Sequence, residues 1–296
     1  NVVQGLPLTE GPFDLGFKEG AITLKGKGKL AERPVDVDWL QYLDSTGRDY
    51  ASKVRAKITA DEGLRAAFGI GLEDYLRGPV PIDVTYIDYG TKASIDVKGD
   101  LAPAALKLEP FQYKKEPRTA GSLSLQANML NGELKEVNNL NLSTEGFSLS
   151  DARLIFRQTA ANETEIARGK ISKAIVGKTE TAVDFEVTSA NVLKIIANGK
   201  VMDLVPFLEK GEEDTSWGQP EEQSQPMQIS ITTPRMLGPE GKYLSDAKLY
   251  LESDVDGELT RIEMDASVGR GTMFLRFKPE NETGKRTFRL ESSDAG

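Results

Sequence analysis

The sequence predicts a mainly β protein, dominated by antiparallel sheet with one solvated face and containing one or two short helices. Three observations lead to this fold class. Apolar and polar residues alternate over most of the chain, turn dipeptides separate several of the alternating runs, and helical signals are confined to a few places. Side chains on a strand point alternately to opposite faces, so each run puts an apolar row on one side and a polar row on the other. A sheet with one wet face is typical of antiparallel pairing.

The alternating runs extend from near the first residue to near the last. In "AITLKG", Ile22 and Leu24 point to one side; in "PIDVTYID", Ile82 and Val84 point away from Asp83. The other runs, in chain order, are "KVRAKITA", "ASIDVKG", "GSLSLQANM", "DARLIFR", "AVDFEVTS", "MQISITT", "AKLYLES", "RIEMDAS", "GTMFLRFK" and "RTFRLES".

Two dipeptides mark hairpin turns. Asn131-Gly132 and Asp256-Gly257 are favoured in two-residue turns because both central residues there need a positive φ. Each dipeptide is followed by Glu-Leu and a further strand, in "NGELKEV" and "DGELTRI". We interpret the two stretches as copies of one meander unit, weakly repeated.

Helical signal is strongest in "TADEGLRAAFGIGLEDYL". The pattern predicts a short helix near Asp61–Phe68 and another near Gly71–Leu76, a helical insert near 60–77. Asp61 is a favoured N-cap residue, and Gly69 and Gly78 are favoured stops. A later stretch, "SANVLKIIAN", resembles a helix by content, and Asn198-Gly199 at its end fits a turn into the next strand equally well.

The stretch "GKVMDLVPFLEKGEE" is interpreted as a seam between two sheet segments. Pro206 has no backbone N–H to donate to a ladder and is expected to bend or end the strand. Phe207 and Leu208 are expected to cover the apolar edge of the sheet. The predicted organisation is therefore a sheet segment over 1–210, an acidic linker or loop over 211–226, and a continuation of the sheet over 227–296.

Composition excludes several kinds of chemistry. The 296 residues include no His and no Cys, which removes Ser-His-Asp and Cys-His catalysis, imidazole and thiolate zinc sites, and disulfides. The net charge is −9, and no basic footprint for nucleic acid is visible. The acidic pairs Glu73-Asp74 and Glu212-Glu213 are best explained as solvated carboxylates. We expect no enzymatic activity, no cofactor and no metal site.

Targeting and membrane signals are not recognisable. No run of 18 apolar residues is present, and "NVVQGLPLTEG" lacks the charged and apolar regions of a signal peptide. We expect the chain to be an internal piece of a longer polypeptide, with any membrane anchor outside it.

Several segments, taken in order, resemble the AsmA-like superfamily, specifically the YhdP-like branch of large bacterial envelope proteins related to TamB. The resemblance covers roughly residues 20 to 210. The segments that carry it are "AERPVDVDWLQYL", "VRAKITADEGLRAAFGIGLEDYLRGPVPIDVTY", "VKGDLAPAALKLEPFQYKKEP", "FSLSDARLIF" and "NGKVMDLVPFL". The last is similar to a Gly-basic-aliphatic-x-Asp-Leu-x-Pro-Leu-Leu pattern of that family. The "YKKEP" spelling departs from the commoner Lys-Pro-Gly form, and the acidic segment is more acidic than the pattern.

The resemblance implies a long, strongly bent antiparallel sheet whose concave face is an apolar groove. It also implies a section of a periplasmic bridge-like lipid carrier that shields the acyl chains of phospholipids or other lipids between inner and outer membranes. The full-length protein would be tethered to the inner membrane through an N-terminal anchor outside this chain, and could meet a partner at the outer membrane.

The expected groove-facing residues share an apolar position in an alternating run. They are Ile22, Leu24, Val54, Ile58, Ile82, Val84, Leu123, Leu125, Leu154, Phe156, Val183, Phe185, Val187, Ile229, Ile231, Leu249, Leu251, Met273, Leu275 and Phe277. From the residues alone, an ordinary buried core explains the same positions.

Two other functions compete with the lipid groove. A structural β-sandwich module of a large envelope protein predicts the same alternation, with two sheets packed face to face around a closed core. A carboxylate-dependent hydrolase of envelope glycans requires two interior carboxylates that face a cleft. The order of the family-like segments favours the groove.

Overall fold

The protein is mainly β, as predicted, with two short α-helices in the part of the chain that the structure describes. This computed structural model describes residues 7–159, 164–208, 225–279 and 286–293. Contacts within the chain divide it into two units. The first unit contains Asn1–Leu108 and Lys114–Glu145, and the second contains Glu109–Tyr113 and Gly146–Gly296.

Twelve strands precede Glu145. They are β1 (Leu8–Thr9), β2 (Phe13–Lys18), β3 (Ala21–Leu30), β4 (Arg33–Tyr42), β5 (Ser52–Ala60), β6 (Leu76–Arg77), β7 (Val80–Asp88), β8 (Lys92–Asp100), β9 (Ala105–Leu108), β10 (Tyr113–Lys115), β11 (Gly121–Leu130) and β12 (Glu133–Thr144). Strands β1 and β2 both pair with β3, and β3, β4, β5, β7, β8, β11 and β12 then pair in that order. All these pairings are antiparallel.

Nine further strands follow. They are β13 (Phe147–Gln158), β14 (Thr164–Val176), β15 (Thr179–Val187), β16 (Leu193–Asp203), β17 (Met227–Leu237), β18 (Tyr243–Ser253), β19 (Leu259–Val268), β20 (Gly271–Pro279) and β21 (Arg286–Ser292). Each pairs with the next along the chain. The stretch "SANVLKIIAN" thus runs into strand β16, and Asn198-Gly199 lies within that strand rather than in a turn.

One pair departs from the antiparallel pattern. Strands β16 and β17 are parallel, with Ile195 opposite Ile229 and Ala197 opposite Ile231. Parallel neighbours need a crossover of a dozen or more residues, and the connection between these strands is longer than that. The predicted acidic linker falls in this connection. Its residues 211–224 lie outside the described residues.

The first predicted hairpin turn is confirmed, and the second differs in length. Asn131 and Gly132 have φ values of 53° and 82° and join β11 to β12 directly. The second joint is a longer loop, Asp254–Glu258, between β18 and β19. The Asp254 carboxylate accepts hydrogen bonds from the backbone N–H groups of Asp256 and Glu258, and these contacts organise the loop in place of a two-residue turn.

The first predicted helix is confirmed and the second is wrong. Helix α1 spans Glu62–Ala67, and the Asp61 carboxylate caps it by accepting a hydrogen bond from the Leu64 N–H. No helix forms over Gly71–Leu76, because Leu76 instead enters strand β6 and pairs with Leu106 of β9. A tertiary partner from a later segment therefore overrides the local helical pattern.

Helix α1 belongs to a cap made of two inserts. The connection after β5 and the connection after β8 both leave the same end of the sheet, since Ile82 of β7 lies opposite Ile58 near the end of β5 and opposite Gly99 near the end of β8. The pairing of β6 with β9 joins the two inserts. We call residues 61–79 together with residues 101–108 and 114–120 the cap.

The seam after β16 also differs from its prediction. Strand β16 ends at Asp203, and Val205–Leu208 forms a single helical turn, α2, with Pro206 in it. Phe207 and Leu208 are exposed and do not cover a sheet edge. Instead the Phe207 ring packs edge-on against Phe111, with 5.4 Å between ring centroids. Aromatic rings favour such edge contacts with a neighbouring ring.

Candidate apolar binding face

The predicted groove residues of the first unit lie on one face of its sheet, in rows of directly paired residues. Three rows are named here by one member each. The Trp39 row is Leu15, Leu24, Trp39, Val54, Tyr86, Ile95, Ala127 and Val137. The Val84 row is Phe13, Gly26, Val37, Ala56, Val84, Val97 and Leu125. The Ile58 row is Gly28, Val35, Ile58, Ile82, Gly99, Leu123 and Leu142.

The second unit repeats this arrangement across its nine strands. The Phe185 row is Leu154, Gly169, Phe185, Ile195, Ile229, Leu251, Ile262, Phe277 and Phe288. The Val183 row is Ala152, Ile171, Val183, Ala197, Ile231, Leu249, Met264, Leu275 and Leu290. Three more predicted residues lie on the same face, each two positions along its strand from a row member. They are Phe156, next to Leu154 on that face, Val187, next to Phe185, and Met273, next to Leu275. Each unit therefore has one apolar face, continuous across its strands.

These faces are neither fully buried nor freely exposed. Of the predicted groove residues, only Ile58 and Leu249 are buried, at 9% and 8% of their maximal exposure. The others are half-buried. Among the described residues, the largest side chains below 2% exposure are Leu101, Met236 and Thr233, and none of them is a predicted groove residue.

The opposite face of the first unit is charged. One row across it reads Lys27, Asp36, Lys57, Asp83, Lys98, Ser124 and Asn141, so the charges alternate in sign from strand to strand. Lys57 and Asp83 are 3.6 Å apart, and Lys25 and Asp38 are 3.1 Å apart. Opposite charges directly across a ladder support the pairing, and a face of this kind stays in water.

The cap covers one end of the apolar face in the first unit. Leu64 of α1 is 2% exposed and packs against Val35, Ile58 and Ala60. Arg65, also buried, donates hydrogen bonds to the carbonyl oxygens of Ala60, Leu76 and Gly78, which joins the end of β5 to the far end of the insert.

A polar triplet interrupts the apolar face at the other end. The Ser52 row is Phe17, Ile22, Gln41, Ser52, Asp88, Ala93, Met129 and Leu134. Its three polar members lie on neighbouring strands between apolar ones. The Trp39 Nε1–H donates to the Ser52 hydroxyl oxygen at 2.9 Å. Burial raises the pKa of the nearby Tyr86, and the Asp88 charge adds to the shift.

Several members of the face were not among the predicted residues. Val35, Val37 and Trp39 alternate clearly in "PVDVDWLQ", and Ile95 and Val97 alternate in "SIDVKG", so the signal was present in the sequence. On β16, Ile195 is followed directly by Ile196, which hides the alternation; the register places only Ile195 in the Phe185 row, and Ile196 is exposed.

Alternative chemistry finds little support in this geometry. Glu73 and Asp74 are exposed, and Glu212-Glu213 lie outside the described residues. Within the described ranges, no group of three or more acidic side chains could hold a metal ion. No helix in those ranges is both long enough and apolar enough to cross a membrane.

Comparison with protein-family models, with curated proteins and with solved structures gives no match to this chain.

Proposed function

We propose that this protein is a section of a bridge-like lipid carrier, and that its apolar faces hold the acyl chains of phospholipids or related lipids. The observation that carries the proposal is the half-buried state of the face. Nearly all predicted groove residues keep part of their apolar surface accessible in both units. Soluble proteins rarely expose contiguous apolar patches larger than a few hundred Å², and larger ones mark binding surfaces.

Acyl chains suit such a face. Burial of apolar surface yields roughly 25 cal/mol per Å², so a lipid tail laid across the rows would be held strongly. Aliphatic side chains without fixed polar partners give a smooth surface along which a tail could slide. The charged opposite face keeps the sheet in water while the apolar face is occupied.

The half-buried state also distinguishes this proposal from the structural β-sandwich. In a sandwich, residues of the inner faces interdigitate to form a close-packed core. The central members of the rows would then be almost fully buried, as Val35 is beside the cap. Val54, Val84 and Phe185 lie away from the ends of their rows and are only half-buried.

The carboxylate hydrolase has no supporting geometry among the described residues. From the resemblance of the sequence to envelope lipid carriers, we further propose where the protein acts. That location is the periplasm between inner and outer membranes, with a membrane anchor elsewhere in the full-length protein.

The absence of native Cys permits a direct test by thiol labelling. Single-cysteine variants Val84→Cys and Phe185→Cys would report on the apolar faces, and Thr85→Cys, the next residue on the opposite face, is the matched control. Each would be labelled with a maleimide before and after loading with phospholipid from vesicles. We expect Val84→Cys and Phe185→Cys to react without lipid and to be protected by it, with Thr85→Cys unchanged.

Two other outcomes would count against the proposal. If the thiols at 84 and 185 are inert with and without lipid while Thr85→Cys reacts, the faces are closed and the sandwich is favoured. If they react equally in both states and native mass spectrometry finds no bound phospholipid, the faces are open but do not bind lipid.

A further inference from the structure

The apolar face of the first unit changes character along its strands, and this change points to the orientation of a bound lipid. The Ser52 row is apolar at Ile22 and again at Ala93, but the three positions between them are Gln41, Ser52 and Asp88. Toward the cap, the same strands carry only aromatic and aliphatic residues in the Trp39, Val84 and Ile58 rows, apart from glycine.

The triplet keeps hydrogen-bonding capacity beyond its present contacts. Ser52 is buried, at 5% exposure, and accepts a hydrogen bond from Trp39 Nε1; among the described residues no acceptor is found for its own hydroxyl hydrogen. Gln41 Nε2 donates to the Tyr42 carbonyl oxygen, which leaves the amide oxygen of Gln41 as an acceptor. One oxygen of Asp88 accepts from the Gly90 N–H at 2.7 Å, which leaves the other available.

Trp39 and Tyr86 lie on the same face as the polar triplet. They belong to the Trp39 row, which is next to the Ser52 row on the side of the cap. Aromatic side chains with a polar tip are favoured where an apolar region meets a wet one, because the ring is buried while the N–H or O–H finds a partner. These two residues therefore lie where the polar triplet gives way to the aliphatic rows.

The dimensions match one layer of lipid. Six residues separate Ser52 from Ile58 along β5, which is about 20 Å at the rise of an extended strand. The acyl region of a single leaflet is about 15 Å deep, half of the hydrocarbon core of a bilayer. Acyl chains starting beside Trp39 would thus reach the Ile58 row, where Leu64 of the cap closes the face.

We propose that a lipid bound to the first unit lies along the strands, with its head group at Gln41, Ser52 and Asp88 and its acyl chains directed toward the cap. Asp88 is the charged member of the triplet, so the head group that fits is one bearing an ammonium group, as in an ethanolamine phospholipid. The inference rests on the proposed function and deepens it by assigning head-group residues and a direction.

Tryptophan quenching by brominated lipids tests the direction. The chain has two Trp residues, so Trp217→Phe leaves Trp39 as the only one. A second protein, Trp39→Phe/Trp217→Phe with Ile58→Trp, places the reporter in the row at the cap. Each is loaded with phosphatidylcholine brominated either near the carbonyl or near the terminal methyl of the chain. If Ile58→Trp does not fold, Ile82→Trp, a half-buried neighbour in the same row, replaces it.

The expected result is opposite quenching of the two reporters. Trp39 is quenched several-fold more by bromines near the carbonyl, and the Trp at position 58 several-fold more by bromines near the terminal methyl. Equal or reversed quenching with lipid bound overturns the direction while leaving the lipid-carrier proposal standing. Absence of bound lipid in native mass spectra of both proteins overturns the carrier proposal and this inference together.

Uptake from mixed vesicles tests the head-group assignment. Equal amounts of phosphatidylethanolamine and phosphatidylglycerol are offered, and the bound lipid is extracted and quantified. We expect the protein to favour phosphatidylethanolamine several-fold, and Asp88→Asn to lose that preference. Asp83→Asn, on the charged face, is the control and should keep it. No preference in the unaltered protein, or equal effects of the two substitutions, would overturn the assignment.

Discussion

The ring of Phe185 covers Gly169 so closely that a Cβ atom added to the glycine would lie 2.4 Å from two of the ring carbons. The two residues are directly paired across β14 and β15, and Leu154 on β13 packs over the same glycine from the other side. Gly169 is thus the gap in the Phe185 row that lets two large side chains lie flat against the sheet. Real Cβ atoms do not approach a neighbour this closely, so any side chain here must displace Phe185.

We expect Gly169→Ala to destabilise the protein by about 1 kcal/mol, at the low end of the cost of overpacking, because the half-buried Phe185 ring must move but can do so toward solvent. The backbone φ of Gly169 is not in the left-handed region, so the cost is steric. Equilibrium unfolding in denaturant measures it. The control is a double-mutant cycle with Phe185→Leu, which removes the ring: Gly169→Ala should cost less in that background. Additive effects would show that Phe185 does not constrain Gly169.

A buried ammonium group holds the second insert of the cap together. Lys115 is 2% exposed, and its Nζ donates to the carbonyl oxygens of Leu101 at 2.7 Å and Ala104 at 2.6 Å. Burial lowers the pKa of Lys115, and the negative charge of Asp100 offsets part of that lowering. We expect Lys115→Met, which keeps the length of the side chain, to destabilise the protein by about 2 kcal/mol or more, because two buried carbonyl groups lose their partner.

The matched control for this prediction is Lys114→Met. Lys114 is adjacent and exposed, and its ion pair with Glu116 lies at the surface. Exposed ion pairs contribute less than about 1 kcal/mol. Equal unfolding free energies for the two variants would mean that the Lys115 ammonium does not stabilise the cap.

Much of the apolar face was predictable from the sequence, since within each strand it depends only on local alternation. Ile82 and Val84 share a face because they are two residues apart, whatever strands lie beside them. The predicted groove residues of different strands share a face because the register pairs apolar residues with apolar residues, which local alternation alone does not determine. Whether that face binds lipid does not follow from alternation, and it stays a prediction.

The features that were missed depend on partners distant in sequence. Leu76 forms a strand in place of the predicted helix because it pairs with Leu106, and no residue near Leu76 in the sequence indicates this pairing. In the sequence, Lys115 cannot be told from a surface lysine. Only the fold brings the carbonyl oxygens of Leu101 and Ala104 to its ammonium group. The parallel pairing of β16 with β17 leaves no signal in either strand, because side chains alternate in the same way in parallel and antiparallel strands.

Acid should loosen the cap. The Arg33 side chain, by hydrogen bonding, and the Leu64 N–H lower the pKa of Asp61, and the Gly78 N–H lowers the pKa of Glu62. A carboxyl group whose pKa is lower in the folded state contributes stability that is complete above its unfolded value. This stability is lost as the pH falls through the folded pKa. We therefore expect the loss to begin below the ordinary values of 3.8 for Asp and 4.5 for Glu.

Hydrogen exchange of peptides from 61–80, corrected for the intrinsic pH dependence, measures this loss between about pH 6 and pH 3. The variant Asp61→Asn/Glu62→Gln should exchange faster at the higher pH and change less on acidification. Glu73→Gln, an exposed carboxyl group in the same insert, serves as the control and should follow the unaltered protein. Equal pH dependence in the double variant would assign the effect to other groups.

Leu64 is expected to control access to the end of the apolar face in the first unit. Val35 is 5% exposed and belongs to the same buried cluster as Leu64, and truncation of a buried Leu to Ala costs about 2–5 kcal/mol. The substitution Leu64→Ala weakens the contact between α1 and the sheet, so we expect the cap to open more often. We expect Val35→Cys to react with a maleimide several-fold faster when Leu64→Ala is also present.

The control is Ala127→Cys. Ala127 is buried in the Trp39 row and is not in the described core cluster that contains Leu64 of α1, so its slow rate should not change. Faster labelling at both positions would indicate general unfolding, and unchanged labelling at position 35 would show that Leu64 does not close this end of the face.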